Sequence, residues 1–328
     1  MRMRSSRSTT VLLAGVLGAV CLASSAAAQY PSTGQPSAVG QNTAVGHNPL
    51  IAPTADAGQQ LGAGQSQAPQ RSPQFVAERS EPALKPPIVP TLGSQPGEHP
   101  LVPAVRWARS GLENIEKIQD YSATLCKRER IGNTVGDYEY MFVKVRHQPL
   151  SVYLYFLSPA AVKGQEVIYV KGQNDGKMWA HTVGIRDKLV GTVSLDPAGM
   201  IAMQGQRYPL TEIGILNLTK RLVDVAEQDM KYGECEVRFL PGAKINNRTC
   251  TCIEVVHPVP RRNFLFHLAR VFVDDELNVP IRYEAYDWPA AAGESPQLLE
   301  EYTYLSLKIN PGFTDADFDI KNPNYRFR

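Results

Sequence analysis

The sequence predicts an α+β fold: one large, strongly bent antiparallel sheet of about eleven strands, with helices held on one side. Three observations predict it. Between Tyr121 and Ile309 most apolar runs repeat with period two, the spacing of strands. The gaps between runs are short and rich in turn residues, as in Gly172-Gln173-Asn174-Asp175-Gly176, which favours antiparallel meanders over helical crossovers. Only a few stretches, chiefly 101–115 and 210–229, repeat at three and four residues, so the helices are few and pack as a layer on the sheet.

The chain opens with a segment that is not part of this fold. Arg2, Arg4 and Arg7 precede an uncharged apolar run, Val11 to Ala23, that ends at Ala26-Ala27-Ala28. A basic start, a short apolar core and small residues before the cut describe a secretory signal peptide over residues 1–28, cleaved before Gln29. The run is too short to span a bilayer, and Val20 before Cys21 fits a lipoprotein signal poorly. The expected destination is the periplasm or another exported location. Removing these residues leaves 31 Lys and Arg against 32 Asp and Glu, a net charge of −1. No basic field remains to hold nucleic acid, and no later segment is long and apolar enough for an integral span.

Residues 29–100 carry 12 of the 25 prolines and only two aromatics, Tyr30 and Phe75. Such a stretch buries too little apolar surface to offset its ordering entropy. It is read as a disordered linker rich in Pro, Gln and Ser, a tether across an envelope space; the alternative is an arm that reaches an envelope protein partner. The folded domain is 101–328, long enough for a single substantial core.

Within that domain Leu101, Val105, Ala108, Leu112 and Ile115 form one helical stripe, with Trp107 read as core packing and Pro103 tolerable in the first turn. A first strand follows at 121–125. The next two strands, 137–146 and 151–157, are apolar on both faces: Met141, Val143 and Val145 oppose Tyr138, Tyr140 and Phe142, and Val152, Leu154 and Phe156 oppose Tyr153, Tyr155 and Leu157. Doubled faces predict one side against a helix layer and the other lining a cavity or a second packed layer. Strands at 166–171, 177–182 and 186–194 continue the meander. Helices are expected at 198–203 and 210–229, the second starting at Thr211 with a stripe of Leu218, Leu222 and Val225. Strands resume at 234–240, 249–257, 267–274, 280–287 and 299–309.

Motifs that carry chemistry are few. The six histidines show neither HEXXH nor related metal-ligand spacing, and there is no Gly-X-Ser-X-Gly elbow and no phosphate loop with lysine. No catalytic residue, metal or cofactor is assigned, and the protein is read as not an enzyme. Lys127-Arg128-Glu129-Arg130 is read as a solvated strand end. Arg261-Arg262 beside Phe264 and Phe266 is either a patch for anionic headgroups or a loop whose aromatics fold back on the core. Cys235, Cys250 and Cys252 are candidates for a disulfide, since a hairpin from 235 to 252 brings Cys235 opposite the Cys250/Cys252 face. Buried free thiols are the other reading.

Several phrases resemble a secreted family of unknown function, common in planctomycete-type bacteria, that is itself similar to the LolA/LolB/RseB superfamily. They are Tyr121-Ser122-Ala123-Thr124, the step from Phe156-Leu157-Ser158-Pro159 to Lys163-Gly164-Gln165-Glu166, Tyr208 to Gly214, and the ending from Asn310-Pro311-Gly312-Phe313 to Phe327. The resemblance covers 108–327. It implies a half-open β-barrel whose helix-covered concave face holds acyl chains of lipids or lipoproteins. With the doubled strand faces, it makes Tyr140, Phe142, Tyr153, Tyr155, Leu157 and Trp179, together with Leu218 and Leu222 from the helix, the expected lining of an apolar ligand cavity. The alternative function is a non-catalytic envelope scaffold or stress-sensing interaction protein.

Overall fold

The computed structural model describes residues 95–183 and 191–327. The expected signal segment and nearly all of the Pro-rich stretch lie outside them, as does most of the strand expected at 186–194. Twelve strands form a single antiparallel sheet, which is open, since its edge strands do not pair with each other. Its centre is β1 (Asp120–Ile131). One side of β1 carries the meander β3 (Glu139–Arg146), β4 (Ser151–Ser158), β5 (Glu166–Val170), β6 (Met178–His181) and β7 (Thr192–Leu195). The other side pairs with β12 (Leu298–Ile309), followed outward by β11 (Pro280–Tyr286), β10 (Leu268–Asp274), β9 (Arg248–Val256) and β8 (Glu236–Ile245). A two-residue strand, β2 (Thr134–Val135), folds back on the end of β1.

Two α-helices are described, α1 (Val102–Ile115) and α2 (Ile215–Asp229). Pro103 falls in the first turn of α1, and Trp107 is buried with its indole N–H donating to Asn278 Oδ1 at 3.2 Å. Both helices lie on one face, where Leu101, Ala104 and Trp107 of the α1 region and Leu218, Leu222 and Val225 of α2 pack against Ile253, Val255, Ala269, Tyr283 and Ala285.

Several boundaries differ from the sequence expectation: the strand expected at 234–240 runs over Glu236–Ile245, and three other differences shape the surroundings of the site. The helix expected at 198–203 is a series of turns bounded by Gly199 and Gly205, with the Asp196 carboxylate accepting from the Ala198 N–H at 2.9 Å. The helix expected at 210–229 breaks into a 3₁₀ turn, Leu210–Glu212, and then α2. Gly214 makes that break: its φ is +118°, and a Cβ there would meet the Tyr121 hydroxyl at 3.0 Å. The same hydroxyl accepts from the Ile215 N–H, the first of α2, also at 3.0 Å. Finally, β1 continues to Ile131 instead of ending near Leu125, carrying the charged run 127–130 into the sheet.

The doubled apolar faces of β3 and β4 have two coverings. Val143, Val145, Val152 and Leu154 face the main core. Tyr153, Ile168 and Val170 face outward and are covered by the last segment of the chain, through Phe313, Phe318, Tyr325 and Phe327. Tyr325 stacks on Tyr153 with ring centroids 4.1 Å apart. This strap is pinned by charge as well: the Asp120 carboxylate accepts from the N–H groups of Gly312 and Phe313, each at 3.0 Å, and Lys144 Nζ lies 2.7 Å from Asp317 Oδ1. Burial alone would raise the Asp317 pKa, but Lys144 and the Thr314 N–H outweigh it and hold the carboxyl below its ordinary value. The outer face of the other half-sheet is polar instead, with Arg270 reaching Glu254 at 2.7 Å and Glu284 at 3.2 Å, and Arg282 reaching Glu284 and Glu301 at 2.7 and 2.6 Å.

Phe318→Ala removes the ring at the centre of the strap and is expected to cost about 3 kcal/mol, read as a lowered urea midpoint; a loss under about 1 kcal/mol would show that the strap contributes little to the fold.

Candidate ligand cavity

A cavity of about 830 Å³ lies between the concave face of the sheet and a cover made of residues 197–214 and one side of α2. The sheet supplies Leu125, Met141, Leu154, Phe156, Val167 and Met178, and the cover supplies Leu210, Ile213, Leu218, Leu222 and Val225. The alternation of strands puts residues of one parity on this wall. Met141 stands across from Leu125 on one side and Phe156 on the other, and Leu154 stands between Val143 and Val167.

Leu218 and Leu222 lie on the cavity wall, but the expected sheet residues need correction. Tyr140, Phe142, Tyr153, Tyr155, Leu157 and Trp179 have the opposite parity and face away from it. Phe142, Tyr153 and Tyr155 pack under or beside the C-terminal strap, and Leu157 is exposed. Where both faces of a strand are apolar, period two alone does not say which face meets the cover.

The cavity also has a charged end that the sequence reading misses. The run Lys127-Arg128-Glu129-Arg130 alternates: Lys127 and Glu129 line the cavity and are buried, while Arg128 lies on the other face over the Tyr138 ring. Lys127 lies 3.0 Å from Glu139 and 3.5 Å from Glu129, and it donates to Gln206. Arg207, from the cover, donates its backbone N–H to Glu129 at 3.2 Å and its Nε to Glu300 at 2.8 Å. Tyr208 donates to Glu300 at 3.1 Å, and Tyr302 donates to Glu129. Burial raises the Glu300 pKa above its ordinary value, against the pull of Arg207 and the Tyr208 hydroxyl. Burial and the adjacent carboxylates Glu300 and Glu129 push Tyr302 far up, so it stays a phenol and a donor. The signal available in sequence is the alternation itself, with two opposite charges on one parity.

At its far end α2 is tied to the sheet through His257, which is fully buried with Nε2 3.1 Å from Asp229 Oδ2 and the Phe264 ring stacked on it at 3.9 Å. Phe264 and Phe266 are therefore core residues, and Arg261 pairs with Glu234.

Cys126, Cys235, Cys250 and Cys252 are free thiols. The expected bridge fails on register. The residue of β8 opposite Cys252 is Leu240 and the one opposite Cys250 is Ala243, while Cys235 precedes Glu236, whose partner is Val256. Five residues, about 17 Å of extended strand, therefore separate Cys235 from the position opposite Cys252, far beyond disulfide reach. Burial pushes Cys250 and Cys252 each up to about 11 and Cys235 up to about 12.

The family described as "Protein of unknown function (DUF1571)" has a model that matches residues 118–327. The chain belongs to this family. The DUF1571 match takes in the whole sheet, the cover, α2 and the strap, and it leaves α1 outside. Among curated proteins no match is found. Solved structures similar to this DUF1571 chain include the Mycobacterium tuberculosis lipoprotein LppX, at 13% identity and a TM-score of 0.38, covering 66% of this chain and 100% of that one. A LolA superfamily protein from Nitrosomonas europaea shows 13% identity and a TM-score of 0.28, covering 65% and 97%. An uncharacterized conserved protein from Thermus thermophilus shows 11% and 0.37, covering 67% and 98%. These likenesses are distant, at 11–13% identity.

The thiols and the charged end each have a measurable consequence. Without residues 1–28, the unfolded chain is expected to titrate four thiols with a thiol reagent, and the native chain at pH 8 to react far more slowly; fewer than four in denaturant would reveal a bridge. For Glu300 the folded-state pKa is raised, so its contribution to stability is present below the ordinary value of 4.5 and is lost as pH rises through the folded value. The stability of the wild type relative to Glu300→Gln should therefore fall over that window in urea titrations, and a gap independent of pH would contradict the shift.

Proposed function

We propose that this protein is an exported binder or carrier of an apolar ligand, the acyl chains of a lipid or lipoprotein, held in the cavity beneath α2. The observation that carries the reading is the cavity itself. Its volume of about 830 Å³ lies within the range of small-molecule sites, roughly 300 to 1,000 Å³. Its walls present Met141, Leu154, Phe156, Met178, Leu218 and Leu222, side chains that gain from contact with hydrocarbon. Each methylene transferred from water to such a wall contributes about 0.8 kcal/mol, so a chain of ordinary length is retained without any directional contact.

Two further features support this reading. The methionines are unbranched and polarizable, and adapt to chains of differing shape. The signal-peptide pattern at residues 1–28 directs the protein to a compartment where acyl chains must cross water. No helix among the described residues is long and apolar enough to cross a membrane.

The test uses the mature chain. Mass spectrometry of an organic extract is expected to show co-purified lipid, and the uncharged probe N-phenyl-1-naphthylamine to bind saturably. Met141→Glu on the cavity wall should weaken the probe about tenfold or more, while Tyr155→Ala on the outer face should leave it within twofold. Absence of both lipid and saturable binding would sink the carrier reading.

A further inference from the structure

A second, smaller cavity of about 100 Å³ lies between α1, α2 and the half-sheet that contains β9 and β10. Its wall is mostly apolar, with Val105 and Ile115 from α1, Val223 and Ala226 from α2, and Ile253 and Val271 from the sheet. Three polar side chains reach it, and each bonds to a neighbour. The Thr219 hydroxyl donates to the Ile215 carbonyl oxygen at 2.8 Å, Asn278 Oδ1 accepts from the Trp107 indole at 3.2 Å, and Asp229 Oδ2 lies 3.1 Å from His257 Nε2. Protein interiors pack to crystal-like density and hold few voids larger than a water. An apolar void stays dry and takes hydrocarbon.

The two cavities adjoin. Leu222, Val225 and Phe266 line both. Leu222 and Val225 are three residues apart on one face of α2, and they are only half-buried although they pack toward the sheet. The floor beneath runs from one cavity to the next. Tyr283 and Ala285 of β11 line the main cavity, and their paired neighbours on β10, Val271 and Ala269, line the smaller one. Paired residues of neighbouring strands share a face, so at the step from Ala285 to Ala269 the floor carries only methyl groups. The partition is made by the side chains of Leu222, Val225 and Phe266, which move by changes of rotamer.

We propose that the smaller cavity receives the far end of the ligand's acyl chain, which passes from the main cavity over Ala285 and Ala269 and beneath Leu222 and Val225. The inference rests on the carrier reading above and deepens it, because it narrows the ligand to a long chain with an apolar end. The volume of about 100 Å³ has room for about three chain carbons, each taking the roughly 30 Å³ of a water in the liquid. A carboxylate at that end would leave water for an apolar wall, which is costly. The smaller cavity is closed on one side by α1 with Trp107, whereas the DUF1571 match begins at residue 118. The limit on chain length is therefore set by a helix that precedes the matched part of the chain.

Two hexadecanoates brominated at opposite ends test the path in the mature wild-type chain, since bromine quenches indole fluorescence on contact. Trp107 lines the smaller cavity, whereas Trp179 and Trp288 line neither. The expected result is loss of the Trp107 emission with 16-bromohexadecanoate and its retention with 2-bromohexadecanoate, a difference that disappears in Trp107→Phe. Displacement of N-phenyl-1-naphthylamine by laurate and by stearate reads chain length, because each methylene buried tightens binding about fourfold. Stearate should bind at least about tenfold tighter than laurate, and Ala226→Leu and Ala108→Leu, which fill the smaller cavity from different helices, should each bring that ratio below about threefold. Equal quenching by the two bromo acids, or a ratio that neither filling lowers, overturns the path while leaving the carrier reading intact. Failure of the fatty acids to bind overturns the path, and failure of the naphthylamine with them overturns the carrier reading as well.

Discussion

The pairing of β1 with β12 is the constraint on which the rest of the structure depends. Each half of the sheet is a meander of sequence neighbours, and only this ladder joins them, matching Tyr121 with Ile309 and Glu129 with Glu300 across nearly the full length of the chain's folded part. It closes a loop that takes in most of the domain, so its register decides which residues of the two halves share a face. One irregularity, between Ser122 and Thr124, accommodates the bend. The consequence at the other end of β1 is that Lys127 and Glu129 are delivered beside Glu300 and Tyr302. The cavity's charged end is made of contributions from both halves.

That charged end survives in an apolar setting because its groups satisfy one another. Burying a lone carboxylate in such a place is costly, and burying a connected set is tolerable when each member has partners. Arg207 and Tyr208 are central to this: they arrive from the cover, after Gly205 and before Pro209, and bond to carboxylates rooted in the sheet. The same contacts therefore hold the cover down and neutralise part of the wall beneath it. Tyr121 performs a related task at the opposite end, accepting from the first N–H of α2 where Gly214 lets the chain approach.

The two coverings of β3 and β4 explain how a thin sheet presents a greasy surface to a cavity without exposing another to water. The inner side meets the core and the cavity, and the outer side meets the C-terminal strap. The strap is held by aromatic stacking, by Asp120 and by Lys144, so the last residues of the chain are part of the sheet's packing.

Much of this is legible in the residues. The antiparallel strands, the two principal helices, the core role of Trp107 and the inward stripe of Leu218 and Leu222 all follow from periodicity, because one-sided apolar stripes leave a single way to pack. Periodicity also announces that β3 and β4 are covered on both sides. It does not say which side meets the cavity, because Tyr153 and Leu154 are equally willing to be buried and only the path of the C-terminal strap distinguishes them. Likewise a run such as Lys127-Arg128-Glu129-Arg130 reads locally as a solvated strand end; what makes half of it a cavity wall is Glu300, Arg207 and Glu139, brought from elsewhere in the chain. Local spacing is enough for most of the elements and their apolar faces, since those depend on neighbours a few residues apart; it is not enough for the turns at 198–203 or the break at Gly214, where distant segments intervene. Only the tertiary structure decided the inside, the outside and the placement of charge, since those depend on which distant segments meet.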